Sequence, residues 1–154
     1  MEILKFTKPE LFFLDLKVKD KFDLFQRMFE KLREGGFVKE SFITGIIERE
    51  KNYPTGLQLS GYGCAIPHTD IEHVIRPTIA IATLNQEIEF QSMGDPKSKV
   101  NVNVVFMLAL SQKQDQLEML KELALMMQNQ VIMKKIMVTK TSGEFIEIIK
   151  NVSI

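Results

Sequence analysis

The period of apolar positions changes several times along the chain, and each change marks an element. Residues 11–18, Leu-Phe-Phe-Leu-Asp-Leu-Lys-Val, pass from a continuous apolar run into alternation, which predicts a strand with one fully covered end. From residue 19 to 33 the positions Phe22, Leu24 or Phe25, Met28, Phe29 and Leu32 recur at helical spacing, and Gly35-Gly36 stands where a left-handed cap is needed. Glu40-Ser41 opens a second helix that turns Phe42, Ile43, Ile46 and Ile47 inward and ends in Glu48-Arg49-Glu50-Lys51. Pro54 stops that helix, and the turn Asn52-Tyr53-Pro54-Thr55-Gly56 leads back to a sheet.

Short strands are predicted at 57–59 and 64–67, with a loop at 60–63. Residues 78–84 are long enough and β-branched enough for a buried strand, and 88–90 for a short one after it. Residues 100–110 alternate and then become wholly apolar, the mark of a central strand. Beyond Ser111 the pattern turns helical, with Leu117, Leu120, Leu123, Ala124 and Met127 on one stripe and Ser111 or Asp115 as its cap. Residues 131–138 and 142–149 predict two short helices, the second capped by Thr141 or Ser142 with Glu144 in range of a capping box. A central strand apolar on both faces needs cover on both. The order of elements therefore predicts one domain over 1–154, a three-layer α/β/α sandwich around a mixed sheet of about five strands.

Composition changes this picture little. Hydrophobic residues make up 45% and charged residues 26%, so disorder is not expected. Twenty basic and twenty acidic residues balance, which leaves no net field to hold nucleic acid or an anionic membrane. A single cysteine forms no internal disulfide, the first residues lack a signal-peptide layout, and no apolar run spans a bilayer, which together predict a cytoplasmic protein with no membrane insertion. Neither a GxGxxG nor a P-loop pattern is present, so nucleotide binding is not expected.

Both histidines and the cysteine fall in one stretch, residues 61–73. Pro67 fixes its own φ and pushes Ile66 towards extended geometry, which delivers His68 at a strand end with little slack. Three readings of His68 and His73 stand side by side. They can ligate a metal with Asp70 and Glu72, although their spacing matches no helical His pair. They can fill ordinary hydrogen-bonded positions. Or His68 can be a nucleophile towards phosphorus, provided its other nitrogen is held in one tautomer and positive charge or amide donors meet the phosphoryl oxygens. Arg49, the Thr55 hydroxyl and the helix start near 114–116 are candidates for that support. Cys64 reads as a small core residue, and the nine methionines as adaptable filler, with Met119, Met126 and Met133 as docking candidates.

Arg49-Glu50-Lys51-Asn52-Tyr53-Pro54-Thr55-Gly56, followed by Ala65-Ile66-Pro67-His68, resembles the fructose/mannitol type of enzyme IIA domain in the sugar phosphotransferase system. Pro54-Thr55-Gly56 and the His73 that follows His68 look most like the galactitol-specific branch. The resemblance implies that His68 takes a phosphoryl group from phosphorylated HPr. His68 then gives it to a cysteine of a cognate enzyme IIB, which serves a membrane enzyme IIC, with no cofactor and no metal. It implies that Arg49 assists near the phosphohistidine. Mannitol-type members carry a second histidine at the start of the helix after the central strand; Gln116 stands there in this chain, with His73 as a candidate substitute. A regulatory module that uses the same site to control a partner protein is the alternative, and a metal-dependent hydrolase using His68, Asp70 and His73 a third.

Overall fold

The computed structural model describes residues 2–152. Its centre is a mixed five-stranded sheet in the order β1-β4-β5-β3-β2, formed by β1 (Phe12–Leu16), β2 (Gly56–Gln58), β3 (Gly63–Ala65), β4 (Thr78–Gln91) and β5 (Lys99–Ala109). β1 runs parallel to β4 and β3 parallel to β5, whereas β4 and β5, and likewise β2 and β3, pair antiparallel. The wholly apolar run expected to be central is indeed β5, flanked by β4 and β3.

Helices α1 (Lys21–Glu34) and α2 (Ser41–Asn52) cover one face, and α3 (Lys113–Met127), α4 (Gln130–Met137) and α5 (Ser142–Lys150) the other. Alternation along β5 sorts the two cores. Val105, Met107 and Ala109 pack with Leu24, Phe25, Met28, Phe42 and Ile46. Val104, Phe106 and Leu108 pack with Met119, Leu123, Met127, Ile136 and Phe145. This is the three-layer α/β/α arrangement predicted from the chain.

The differences lie at element ends and in one fusion. Residues 78–84 and 88–90 belong to a single strand, because the antiparallel ladder with β5 resumes after a shift in register between Thr83 and Ile88. A bulge keeps a polar interruption inside one strand. β1 is shorter than expected: Leu11 closes a 3-10 turn, and Asp15 takes a positive φ of 54° where the β1–β4 register shifts. β3 ends at Ala65 rather than at Pro67, although Pro67 O still accepts a bond from Leu108 N at 3.0 Å. Gly36 supplies the left-handed residue after α1, with φ 74°. α1 begins at Lys21, not 19, because Asp20 caps it by accepting from Asp23 N. Neither Ser111 nor Asp115 caps α3; Gln112 occupies the N-cap without a side-chain bond. Thr141 caps α5, and Glu144 reaches back to Lys140 N at 3.0 Å. Among the described residues, no helix is long and apolar enough to cross a membrane.

Candidate functional site

The parallel pair β3 and β5 ends on one edge of the sheet, and α3 begins just beyond β5. Chain direction therefore brings the loop after β3 to the first turn of α3. Leu108 N holds Pro67 O, so the residue before His68 is fastened to the central strand. His68 is 9% exposed, and its Nδ1 lies 2.8 Å from Ile66 O. A carbonyl only accepts, so Nδ1 carries the proton and the lone pair of the neutral ring sits on Nε2.

Burial pushes the His68 pKa below its ordinary 6.5; the Arg49 charge acts in the same direction, while the Ile66 carbonyl and Asp70 oppose it. The ring is thus favoured in its neutral form, with the lone pair on Nε2. Arg49 comes from the last turn of α2. Its Cζ lies 5.1 Å from the centroid of the Tyr53 ring, and its Nε is buried with no hydrogen-bond partner among the described residues. A buried guanidinium donor without an acceptor is costly, and an incoming anionic oxygen would satisfy it.

Thr55, expected beside the phosphoryl position, has other partners. Its N–H donates to Glu50 Oε2 at 2.7 Å and its hydroxyl to Glu50 Oε1 at 2.8 Å. Both side chains are buried, each 2% exposed, and burial raises the Glu50 pKa against the pull of those two bonds and of Lys21. This pair clamps the Pro-Thr-Gly turn to the end of α2. The Thr55 hydroxyl is thereby committed to Glu50.

Gln116 sits in the first turns of α3, and its Nε2 donates to Thr69 O at 2.9 Å. It ties the residue after His68 to the helix through one of its two amide N–H groups. His73 closes the 3-10 turn Ile71–His73, with Nδ1 2.8 Å from Ser41 Oγ and Nε2 3.8 Å from Glu72 Oε1. The chain packs this turn on α2 at Gly45: a Cβ there would lie 2.6 Å from Thr69 Oγ1 and 3.2 Å from His73 Nε2. A cavity of about 320 Å³, lined by Asp70, Ile71, Glu72, Lys113 and Gln116, opens beside the turn.

Cys64 is fully buried, and burial pushes its thiol up to about 12, which leaves it inert at neutral pH. Met119, Met126 and Met133 are buried against the sheet and present no docking surface. Among the described residues, no three His, Cys, Asp or Glu side chains gather where a metal ion would sit. Sequence reasoning missed Glu50, Ser41, Gly45 and Thr69. Only Gly45 left a trace, as a glycine inside a helical pattern, which commonly marks a close approach.

The family model described as "Phosphoenolpyruvate-dependent sugar phosphotransferase system, EIIA 2" matches residues 5–152. Three curated relatives bracket the chain's similarities. The transcriptional regulator ManR of Bacillus subtilis is 33% identical over 109 residues, 71% of this chain and 15% of the regulator. The galactitol-specific EIIA component of Escherichia coli K12 is 30% identical over 86 residues, 56% of this chain and 57% of that protein. The nitrogen regulatory protein of Bradyrhizobium diazoefficiens is 31% identical over 140 residues, 88% of this chain and 86% of that protein. The chain thus spans about a seventh of the length of the regulator and just over half that of the galactitol component.

Two solved structures share the fold. The mannitol-specific cryptic enzyme IIA CmtB of Escherichia coli superposes with a TM-score of 0.77 at 14% identity, covering 99% of this chain and all of that one. The mannitol enzyme IIA, solved in complex with phosphorylated enzyme IIB from the same organism, superposes with a TM-score of 0.75 at 20% identity, covering 95% and 99%.

Proposed function

The chain belongs to the EIIA 2 family of the phosphoenolpyruvate-dependent sugar phosphotransferase system, and we propose that His68 is the residue that carries its phosphoryl group. Domains of this family are phosphotransferase components that hold a phosphohistidine and pass the group to EIIB. The observation that carries the assignment is the bond between His68 Nδ1 and Ile66 O, which leaves Nε2 unprotonated and available.

In this reading the Nε2 lone pair attacks the phosphorus of phosphorylated HPr. The donor's bond to phosphorus breaks, and its electron pair leaves with the donor. His68 then holds the Nδ1 proton and an Nε2–P bond together, so the ring gains positive charge while its phosphoryl oxygens are negative. The Ile66 carbonyl meets the first charge and Arg49 the second, through the Nε that has no partner among the described residues. A cysteine thiolate of enzyme IIB next attacks phosphorus and Nε2 leaves, which restores the neutral ring and serves sugar uptake through a membrane enzyme IIC. Burial disfavours the charged ring and so favours handing the group on. No metal or organic cofactor takes part.

Gln116 and His73 are supporting residues here, the first by fixing Thr69 O and the second by anchoring the turn to Ser41. We take residues 1–154 as one EIIA domain, a reading supported by a single sheet covered on both faces. Galactitol, or a sugar alcohol like it, is the favoured cargo of the pathway, supported by the 30% identity to the galactitol-specific component.

The test is incubation with enzyme I, HPr and phosphoenolpyruvate, followed by intact-mass measurement of the wild type and of His68→Ala. An acid-labile phosphoryl adduct on the wild type alone is the expected result. An equal adduct on His68→Ala would move the acceptor elsewhere. A second reading, regulation of a partner protein by the phosphorylation state, is favoured by the long match to the nitrogen regulatory protein. Phosphorylated chain that fails to label the cysteine of a galactitol-type enzyme IIB would support it.

A further inference from the structure

Tyr53 is the residue after α2, and its backbone is fixed from both sides. Its N–H donates to Arg49 O at 2.7 Å, and Pro54, which follows it, disfavours the helical region, so that Tyr53 leaves the helix with φ −136° and ψ 79°. With the backbone set, the side chain has only two torsions left, and its ring comes to rest on the guanidinium of Arg49, 5.1 Å from Cζ to the ring centroid. Tyr53 is nonetheless 66% exposed, so it contributes little to either core. One feature of Arg49 needs this neighbour. The guanidinium keeps a buried Nε–H free of any acceptor among the described residues, and without a neighbouring surface the side chain would swing towards water to satisfy it.

We propose that Tyr53 is a positioning residue for phosphoryl transfer: its ring face holds the Arg49 guanidinium against the site, with the Nε–H edge turned to receive the phosphoryl oxygens of His68. The proposal rests on the assignment of Arg49 to the phosphoryl group. A cation over an aromatic face is attracted by the ring's quadrupole, and the hydroxyl adds nothing to that attraction. Phenylalanine should therefore serve in its place. Leucine covers the same surface with no charge on its face and should not.

The experiment measures the rate of phosphoryl uptake from phosphorylated HPr for Tyr53→Phe and Tyr53→Leu, each in the wild-type chain and in Arg49→Ala. Thermal melts confirm that each variant folds. Tyr53→Phe is expected within about twofold of wild type and Tyr53→Leu about fivefold slower, the size of a partly exposed cation–π contact. In the Arg49→Ala background Tyr53→Leu should change the rate no further, because the group it positions is gone. An equal loss in both backgrounds would overturn the proposal and make Tyr53 a contact for the donor protein. The arginine side-chain N–H resonance of Arg49 gives a readout that needs no phosphoryl chemistry. It should lose its ring-current shift in Tyr53→Leu and keep it in Tyr53→Phe, and an unchanged resonance in Tyr53→Leu would overturn the pinning even if His68 proved not to be the acceptor.

Discussion

Gly45→Ala places two effects of opposite sign at one position. In an ordinary helix interior the change stabilises by about 1 kcal/mol, because alanine loses less backbone entropy. Here the new Cβ would lie 2.6 Å from Thr69 Oγ1 and 3.1 Å from His73 Cδ2, whereas ordinary contact begins at 3.4 Å, so the Thr69 hydroxyl must recede by about 0.8 Å. The segment has little freedom to do so. Pro67 O is held by Leu108 N, Thr69 O by Gln116, and His73 O by Lys39 N. Overpacking of this kind costs about 1–3 kcal/mol, so the net change in stability is a loss of about 0–2 kcal/mol.

The effect on rate should be larger than the effect on stability. Thr69 follows His68 directly, and misplacing a reacting group by about 1 Å costs on the order of a hundredfold. Time-resolved intact-mass labelling from phosphorylated HPr, paired with a thermal melt, separates the two effects. The expected outcome is a melting temperature within a few degrees of wild type, a labelling rate lower by about ten- to a hundredfold, and partial recovery in Gly45→Ala with Thr69→Ala, which removes the closest contact. A raised melting temperature with a labelling rate within twofold of wild type would refute the argument, since helix propensity would then have won with no strain passed to His68.

Other predictions follow from the same geometry. Burial lowers the His68 pKa, so an NMR titration should find its midpoint below 6.5, and phosphoryl acceptance should hold level as pH falls through 6.5 before dropping at the lower value. Because the unfolded chain takes up that proton first, the stability contributed by the neutral ring is complete above about pH 6.5 and declines as pH falls from there towards the folded pKa. Glu50 has the opposite sign: its raised folded pKa means that its contribution to stability declines as pH rises above 4.5, and urea unfolding of Glu50→Gln should lack that component. Glu50→Ala leaves the Thr55 N–H and hydroxyl buried without acceptors, a loss of about 2–5 kcal/mol that urea unfolding would register. Gln116→Leu frees Thr69 O and should slow labelling about tenfold with a small change in melting temperature; an unchanged rate would remove Gln116 from the site.

The layers and the central strand were legible because β5 and the helical stripes are periodic over many residues, and periodicity reports which face is buried. The placement of His68 just past a strand end was legible because Pro-His at the end of an apolar run constrains the backbone locally. The partner of Thr55 was not legible, for a physical reason. A hydroxyl in a turn near a basic residue suits a phosphate, but its partner is decided by which acidic side chain of α2 turns inward. Glu50 sits in the run Glu48-Arg49-Glu50-Lys51, and periodicity does not reveal that it is buried while its neighbours are not. Gly45 meets Thr69, and Ser41 meets His73, only because α2 crosses the loop after β3, and each pair joins residues more than twenty positions apart that no local pattern encodes.

Gln116, in the first turns of α3, brings no charge to the loop that carries His68. A glutamine carries no charge, and this one gives an amide N–H to Thr69 O, so it can hold the loop in place but adds no positive charge beside the phosphoryl group. His73 has Nδ1 engaged with Ser41 and its other nitrogen near Glu72, an arrangement that serves the turn first. Among the described residues, that leaves Arg49 as the cation whose charge is felt at His68 and whose Nε has no partner. Arg49→Lys is then the sharper test of the site than Arg49→Ala. Lysine keeps the charge but loses the planar Nε–H and its stacking on Tyr53, and if those two features matter it should recover less than a tenth of the wild-type labelling rate. Recovery to within twofold would mean that charge alone suffices, and that the buried Nε has no part in receiving the phosphoryl group.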